Sequence, residues 1–468
     1  MSVSVVTDVG LPDNFRGRAI RPADPDYDEA RAVYNGSIDR RPVLIIRPSG
    51  AADVRDAVGF ARQQGLPLAV RCGGHQVAGL GTVEGGVLID LSSLKGVHVD
   101  VESGVAHANP GTLWGEYDRD LEMLGLATPG GRVTTTGIGG FTLGGGYGWL
   151  STKYGLSCDN LVGADLVTAK GELVHVTDES DAELMSALRG AGANFGVVTS
   201  FAFKTHQIPP LMMAGLLVLP NDGTRAAEAA RAYRDVVEAA PRELVTALAT
   251  VLAPPEDFVP PELVGSPVLA VVVAWLGDSS DAEDAVAPLR KVMEGGIDLI
   301  QPMPYTALQS MLDGFAPRGW RNYHRGHYVT GLPDDVIEAY LASGRDIGSP
   351  MTQGIIFRLG GAIADVSEEA TAVSNRKAPY LAHPIACWRD DSATEHEMEW
   401  VRNFSAAFEP ALTGGLYLNF EPGTGQAEVR AGYGDAKAQR LAELKRRWDP
   451  DNLFRTNHNL VPLDDQSP

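Results

Sequence analysis

Three stretches of the chain bring reactive or ligand-holding residues together. The first is Arg71-Cys72-Gly73-Gly74-His75-Gln76, where an imidazole directly follows two glycines. The second is Gly130–Gly148, with nine glycines among nineteen residues. The third is C-terminal: Tyr417-Leu418-Asn419-Phe420, then Asn457-His458-Asn459. Successive glycines let backbone N–H groups converge on an anion, and such a nest holds a pyrophosphate without basic side chains. The usual nucleotide patterns are absent. A dinucleotide fingerprint begun at Gly137 needs glycine where Thr142 stands, and one begun at Gly144 needs it where Trp149 stands. No GxxxxGK[ST] run occurs. Val133, Ile138, Phe141, Leu143 and Tyr147 interleave the glycines, a composition unlike that of a flexible surface loop. Apolar residues between glycines imply close packing against something flat and large. A metal centre built from His75, His98 and His107 lacks ligand spacing, so no metal is expected.

The elements that carry these stretches follow from periodicity. Strands are expected at Val43–Ile46, Leu66–Val70, Val87–Leu91, Val97–Val101 and Gly104–Ala108. A helix begins at Ala51 and is closed by Gly65, and another spans 112–124. Leu161–Thr168 and Leu173–Thr177 read as a hairpin about Lys170-Gly171, with a further strand at Asn194–Phe203. Beyond His206-Gln207-Ile208-Pro209-Pro210 the chain alternates long strands with amphipathic helices: Val268–Trp275 before Asp281–Met293, Tyr328–Thr330 before Asp334–Ser343. Leu416–Phe420 and Lys437–Trp448 read as a strand and helix returning to the first unit. The expected class is α+β. The block from His206 to about Thr413 reads as a separate α+β unit.

Composition bounds the function. The 468 residues carry a formal net charge of −21, a poor match for nucleic acid or an anionic membrane. Any phosphate must therefore be held by local backbone amides. Glycine is enriched, 53 residues where average usage gives about 33. Cys72, Cys158 and Cys387 are odd in number and lack CxxC spacing, which argues against a disulfide scaffold. Met1–Phe15 has no basic stretch followed by an apolar one, so no signal peptide is expected. The apolar runs Leu211–Leu219 and Val268–Leu276 are too short to span a bilayer. The expected setting is soluble and cytoplasmic.

With these residues in view, the chain resembles the FAD-linked oxidases of the vanillyl-alcohol oxidase/PCMH superfamily, in their berberine-bridge-enzyme-like branch. Arg71-Cys72-Gly73-Gly74-His75 resembles the family's flavinylation motif. Gly137-Ile138-Gly139-Gly140 through Gly148, with Lys153-Tyr154-Gly155-Leu156 and Asp159-Asn160, resembles its second signature. Gly192-Ala193-Asn194-Phe195-Gly196-Val197-Val198-Thr199 resembles its third, and Tyr417–Phe420, Trp448–Arg455 and Asn457–Asn459 its fourth. The resemblance implies a bipartite PCMH-type FAD domain, residues 1–205 and 418–468, with an inserted α+β substrate domain, 206–417, built as an antiparallel sheet covered by helices, and FAD attached covalently to His75. The first motif would hold the cofactor by Arg71, Cys72, Gly73, Gly74, Gln76 and Gly79. The second would do so by Pro129, Gly131, Thr135, Thr136, Gly137, Gly139, Gly140, Gly144, Gly145, Tyr147, Gly148 and Trp149. Asn194, Gly196 and Val198 belong to the third motif, and Asn419, Asn457 and Asn459 to the last. Doubly attached members carry a cysteine where this chain has Val133, so a single link through His75 is expected.

The reaction so implied takes a hydride from an alcohol, phenol or related carbon of a ring-containing small molecule to flavin N5, while a base removes a proton. Dioxygen then reoxidises the flavin and yields hydrogen peroxide. Tyr417 matches the family position of a tyrosine base, with Tyr147 as a second tyrosine. A phenol, of pKa about 10, needs a stabilised phenolate to act at neutral pH. Thr136 resembles a residue beside N5 in a polyketide-tailoring relative, which opens an oxygenating alternative through a flavin-N5-oxide. The glutamate expected in that relative's substrate strand is Ile355 here. Arg358, Tyr380, Tyr323 and His324 are the candidate substrate contacts. A non-catalytic flavin or ligand carrier is a remote alternative, and the oligomeric state is open.

Overall fold

The computed structural model describes residues 11, 12 and 14–463. The leader-free reading of Met1–Phe15 and the outer ends of the 1–205 and 418–468 segments fall partly outside them. Four sheets organise the described chain. Arg18–Ile20, Leu44–Arg47, Val87–Asp90 and Leu68–Arg71 form a four-stranded sheet in that order, parallel except at its first strand. The helix Ala51–Gln64 makes the crossover from Leu44–Arg47 to Leu68–Arg71, which flank Val87–Asp90 on either side. It buries Val54, Ala57, Val58 and Ala61 on one face, each large side chain contributing about 1.5–3 kcal/mol. It stops at Gly65, whose φ of +62° turns the chain away.

Val97–Asp100, Val105–Ala108, Val197–Lys204, Leu161–Val167 and Leu173–Val176 make an antiparallel five-stranded sheet. The expected hairpin at Lys170-Gly171 is present, with Gly171 at φ +81°. The strand expected from Asn194 begins instead at Val197, because Gly192–Asn194 forms a 3-10 turn. Leu126–Ala127 and His206–Gln207 make a small two-stranded pair. A ten-stranded antiparallel sheet takes in residues 212–416, its centre running Pro267–Trp275, Leu244–Leu252, Gln353–Arg358 and Tyr380–Trp388.

One face of this large sheet packs under helices Thr224–Glu238, Ala282–Val292, Asp334–Arg345 and Thr394–Ala407. The other face packs against the glycine-rich segment through Tyr147, Trp149 and Leu150. Successive side chains of a strand alternate between faces. On Gln353–Arg358, Ile356 joins the helix-covered core, while Ile355 and Phe357 face the glycine-rich segment. The chain then returns. Leu412–Leu416 is the last strand, and it ends where the sequence predicts one to begin. Leu418–Phe420 turns as a 3-10 helix because the Phe420 N–H reaches back to the Tyr417 carbonyl at 2.9 Å. Gln426–Tyr433 and Asp435–Trp448 follow, and their buried residues share a core with residues 106–203.

Candidate active site

The strand Leu68–Arg71 runs into the Cys72-Gly73-Gly74 turn, and the backbone at Gly137 lies directly on it. A Cβ on Gly73 would stand 2.3 Å from the Gly137 nitrogen, and one on Gly137 2.3 Å from the Gly73 nitrogen. Two turns can touch in this way only if both lack side chains. A Cβ on Gly140 would meet nothing within 4 Å. Gly140 opens on a cavity of about 300 Å³. Tyr34, His75, Thr136, Asn419 and Asn457 line one side, and His324, Gln353, Ile355, Phe357, His383 and Ile385 come from the large sheet.

The His75 ring stacks on Tyr34 at 4.2 Å, and its Nε2 lies 2.9 Å from Thr135 Oγ1. Burial, aided by the Arg318 charge, pulls its pKa down to about 4. The imidazole is therefore neutral at ordinary pH. With Nε2 engaged by Thr135, Nδ1 keeps the free position. Arg71 is spent on structure: its guanidinium grips Asp90 at 2.7 and 3.2 Å and donates to the carbonyls of Ala30 and Ala32. It fastens the turn rather than presenting charge to a ligand. The Cys72 thiol is pushed up to about 12 by burial, and stays protonated. At the far end Asn457 Nδ2 donates to the Ala193 carbonyl at 2.8 Å, leaving its buried Oδ1 without a protein partner.

The large sheet supplies a polar group that the sequence reading missed. His383 is 4% exposed, and both of its ring nitrogens lack a partner within the protein. Its ring lies flat on Phe420, with centroids 3.6 Å apart, and meets His324 edge-on at 5.3 Å. Burial and the neighbouring His324 hold its pKa well below the ordinary value, so the lone pair is available.

Five expected site residues stand elsewhere. Arg358 and Tyr380 are register partners on the opposite parity, and face the helix-covered side of the sheet. Arg358 donates to the carbonyls of Ala240, Pro241 and Leu244. Tyr323 packs toward the same helix-covered core, whereas His324, one residue on, lines the cavity. Tyr147 is buried and donates to the Arg358 carbonyl at 3.0 Å, its phenol pushed up to about 12 by burial. Tyr417 is absent from the cavity lining among the described residues. Its oxygen accepts from the Gly146 and Tyr147 N–H groups, both at 3.0 Å, and from Asn419 Nδ2 at 3.2 Å. Burial raises its pKa despite these donors. Its contacts are those of a clasp on the glycine turn.

An imidazole, two interlocked glycine turns and an unpartnered asparagine oxygen fit a flat cofactor with a diphosphate tail. The comparisons agree. Residues 42–177 match the FAD binding domain model, and 416–461 match "Berberine and berberine like". The chain is 29% identical over 470 residues to (R)-6-hydroxynicotine oxidase of Paenarthrobacter nicotinovorans, covering 97% of this chain and 98% of that one. It is also 29% identical over 454 residues to an FAD-linked oxidoreductase of Dictyostelium discoideum, covering 96% of each. The crystal structure of 6-hydroxy-D-nicotine oxidase from Arthrobacter nicotinovorans superimposes with a TM-score of 0.86 at 27% identity, over 97% of this chain and all of that one. The chain is a berberine-bridge-enzyme-like FAD oxidoreductase.

In this FAD oxidoreductase several expected cofactor residues act from behind the cavity wall. A Cβ on Gly148 would stand 1.8 Å from the Gly130 carbonyl oxygen, and one on Gly196 2.6 Å from that of Val167. Pro129 accepts from Ser157, Gly79 accepts from Arg40 at 2.7 Å, and a Cβ on Gly139 would strike Cys72 Sγ. Val198 is in the core, Trp149 is fully buried, and Gly145 sits against Val373 and Tyr417. Lys445 ties Asn194 and Asn459 together at 3.2 and 2.9 Å, holding the C-terminal return to the third motif. Gly73, Gly74, Gln76, Gly131, Gly137, Gly144, Asn194 and Asn419 line the cavity, alongside Val133. Tyr34, Arg132, Gln353, Phe357, His383 and Phe420 were not foreseen as lining residues. The alternation Gln353-x-Ile355-x-Phe357 was the available signal for two of them, Gln353 and Phe357.

Proposed function

We propose that this enzyme is an oxidase with FAD bound covalently to His75 alone, acting on a ring-containing small molecule and reducing dioxygen to hydrogen peroxide. The observation that carries the reading is the cavity itself, with the neutral His75 on one side and the unpartnered His383 on the other. Residues 1–205 and 418–468 would hold the cofactor, and 206–417 would cover it. FAD, when bound, accepts a hydride from the substrate carbon and returns the electrons to dioxygen. Thr135 orients the His75 imidazole for attachment. Val133 lines the cavity but has no nucleophilic atom, and Cys72 remains a protonated thiol, which supports one link rather than two.

His383 takes the substrate proton in this scheme. A neutral buried imidazole with both ring nitrogens unpartnered stands open to a substrate proton, whereas the Tyr417 oxygen already accepts from three N–H donors. Stacking on Phe420 fixes the ring plane, and His324 limits its tilt. The flat contacts at Phe420 and Phe357 favour a planar substrate. Thr136 and Ile355 both line the cavity. An apolar side chain where the oxygenating relative is expected to carry glutamate favours simple oxidation. The test is a substrate screen for peroxide release, followed by turnover under oxygen-18. Peroxide stoichiometric with product, and no isotope in the product, is expected; labelled product would overturn the oxidase reading. In that event, loss of the label in Thr136→Val would assign the oxygenation to this hydroxyl.

A further inference from the structure

One buried charge is left unused by this scheme. Arg132 is 9% exposed and lines the same cavity. Its guanidinium lies over the Phe357 ring at 3.5 Å, with Tyr147 and Trp149 rings at 5.1 and 5.5 Å. Its buried Nη1 has no hydrogen-bond partner in the protein. No carboxylate lies within ion-pair distance of it among the described residues, although the chain holds 60 acidic side chains. The three aromatic faces offset part of the desolvation of this cation, but supply no hydrogen-bond acceptor for the planar fork.

We infer that Arg132 is an anion receptor, and that the substrate of this oxidase is a ring compound bearing a carboxylate, gripped by the guanidinium while the reacting carbon faces the flavin. The inference rests on the cavity being the oxidase site. Phe357 neighbours both groups, with the Arg132 guanidinium 3.5 Å over its ring and the His383 ring centroid 6.2 Å away, so an acid held by Arg132 would have its body within reach of His383. A guanidinium fork matches a carboxylate with two parallel N–H···O bonds, which a neutral amide cannot reproduce. The protein's negative field repels organic acids at long range. Selection for such a substrate must then come from a buried cation of this kind.

The test is calorimetric titration of the flavin-loaded protein with benzoate and with benzamide, its neutral isostere. Benzoate should bind about 10–100-fold more tightly, the range for a charge-assisted hydrogen bond. Arg132→Met should abolish that preference, and Arg132→Lys should keep part of it. Equal affinity for the two probes in the wild type, or a preference that survives Arg132→Met, overturns the inference. Tyrosinate absorbance that vanishes in Arg132→Met while benzoate binding is unchanged also overturns it, making Arg132 the counter-ion of Tyr417. If Arg132→Met fails to fold, the wild-type comparison and Arg132→Lys decide. Flavin content and peroxide release are recorded separately, so a failed oxidase assay with intact benzoate selectivity condemns the oxidase reading and leaves the anion site standing.

Discussion

In the proposed scheme His383 takes the base role that the sequence assigned to Tyr417. Both are buried, but their polar atoms are in opposite conditions: the imidazole has no protein partner, and the phenol oxygen has three donors. His383→Gln should slow anaerobic flavin reduction by about 10²–10⁴-fold, the range for loss of a general base, without releasing flavin. Rapid-reaction absorbance of the bound flavin measures this. Because burial depresses the His383 pKa, its acceptor form persists into acid. The reduction rate should therefore stay level from pH 8 to 6, where an imidazole of ordinary pKa would begin to lose its lone pair. Tyr417→Phe should behave differently. It strands three buried N–H groups, and costs about 1–3 kcal/mol of stability by denaturant titration for each group left unpaired. If this variant instead folds normally and loses the reduction step, the phenol is the base.

At the scale of elements, two glycines three positions apart, Gly137 and Gly140, make opposite predictions. Gly137→Ala would force a Cβ against the Gly73 backbone, so the turns must part and flavin loading should fail. Gly140→Ala projects into open space and should fold normally, intruding only on the cavity. Absorbance of purified protein at the flavin band separates them. The glycine turns, His75 and the order of the four motifs were legible because they depend on local sequence: only glycine permits such contacts, and the motif order survives insertion. The large-sheet wall was not legible in the same way. Which face of a strand meets the flavin depends on register, and a one-residue slip exchanges the faces. Arg358 and Tyr380 were chosen on residue type and lie on the covered face, whereas Phe357 and His383 lie on the cavity. Tyr417 stands behind the wall for a related reason. The strand ends at Leu416, and the following 3-10 turn swings Phe420 into the wall and Tyr417 behind it.

For the whole molecule, burial of histidines couples stability to pH. His206, His324, His327, His383 and His458 all have pKa values lowered from 6.5, chiefly by desolvation. Below about pH 6.5 the unfolded chain takes up protons at these positions and the folded chain does not. Stability should then fall as pH drops from about 6.5 toward 4, each such proton contributing about 1.4 kcal/mol per pH unit. Asp118, Glu397 and Glu421, whose carboxyls burial raises, oppose this and reduce the net slope. A melting temperature that rose over that range would contradict the balance. Lys445 joins Asn194 and Asn459 and so ties the C-terminal return to the 192–199 motif behind the cavity that His75 lines, and the central proposal is the link at His75. The most direct test is therefore to precipitate the purified protein in acid, digest it and map the flavin-bearing peptide by mass. The flavin should remain with the protein on a single peptide containing His75, and His75→Ala should release it. Free flavin in the wild-type supernatant, or flavin on a peptide without His75, would contradict the account.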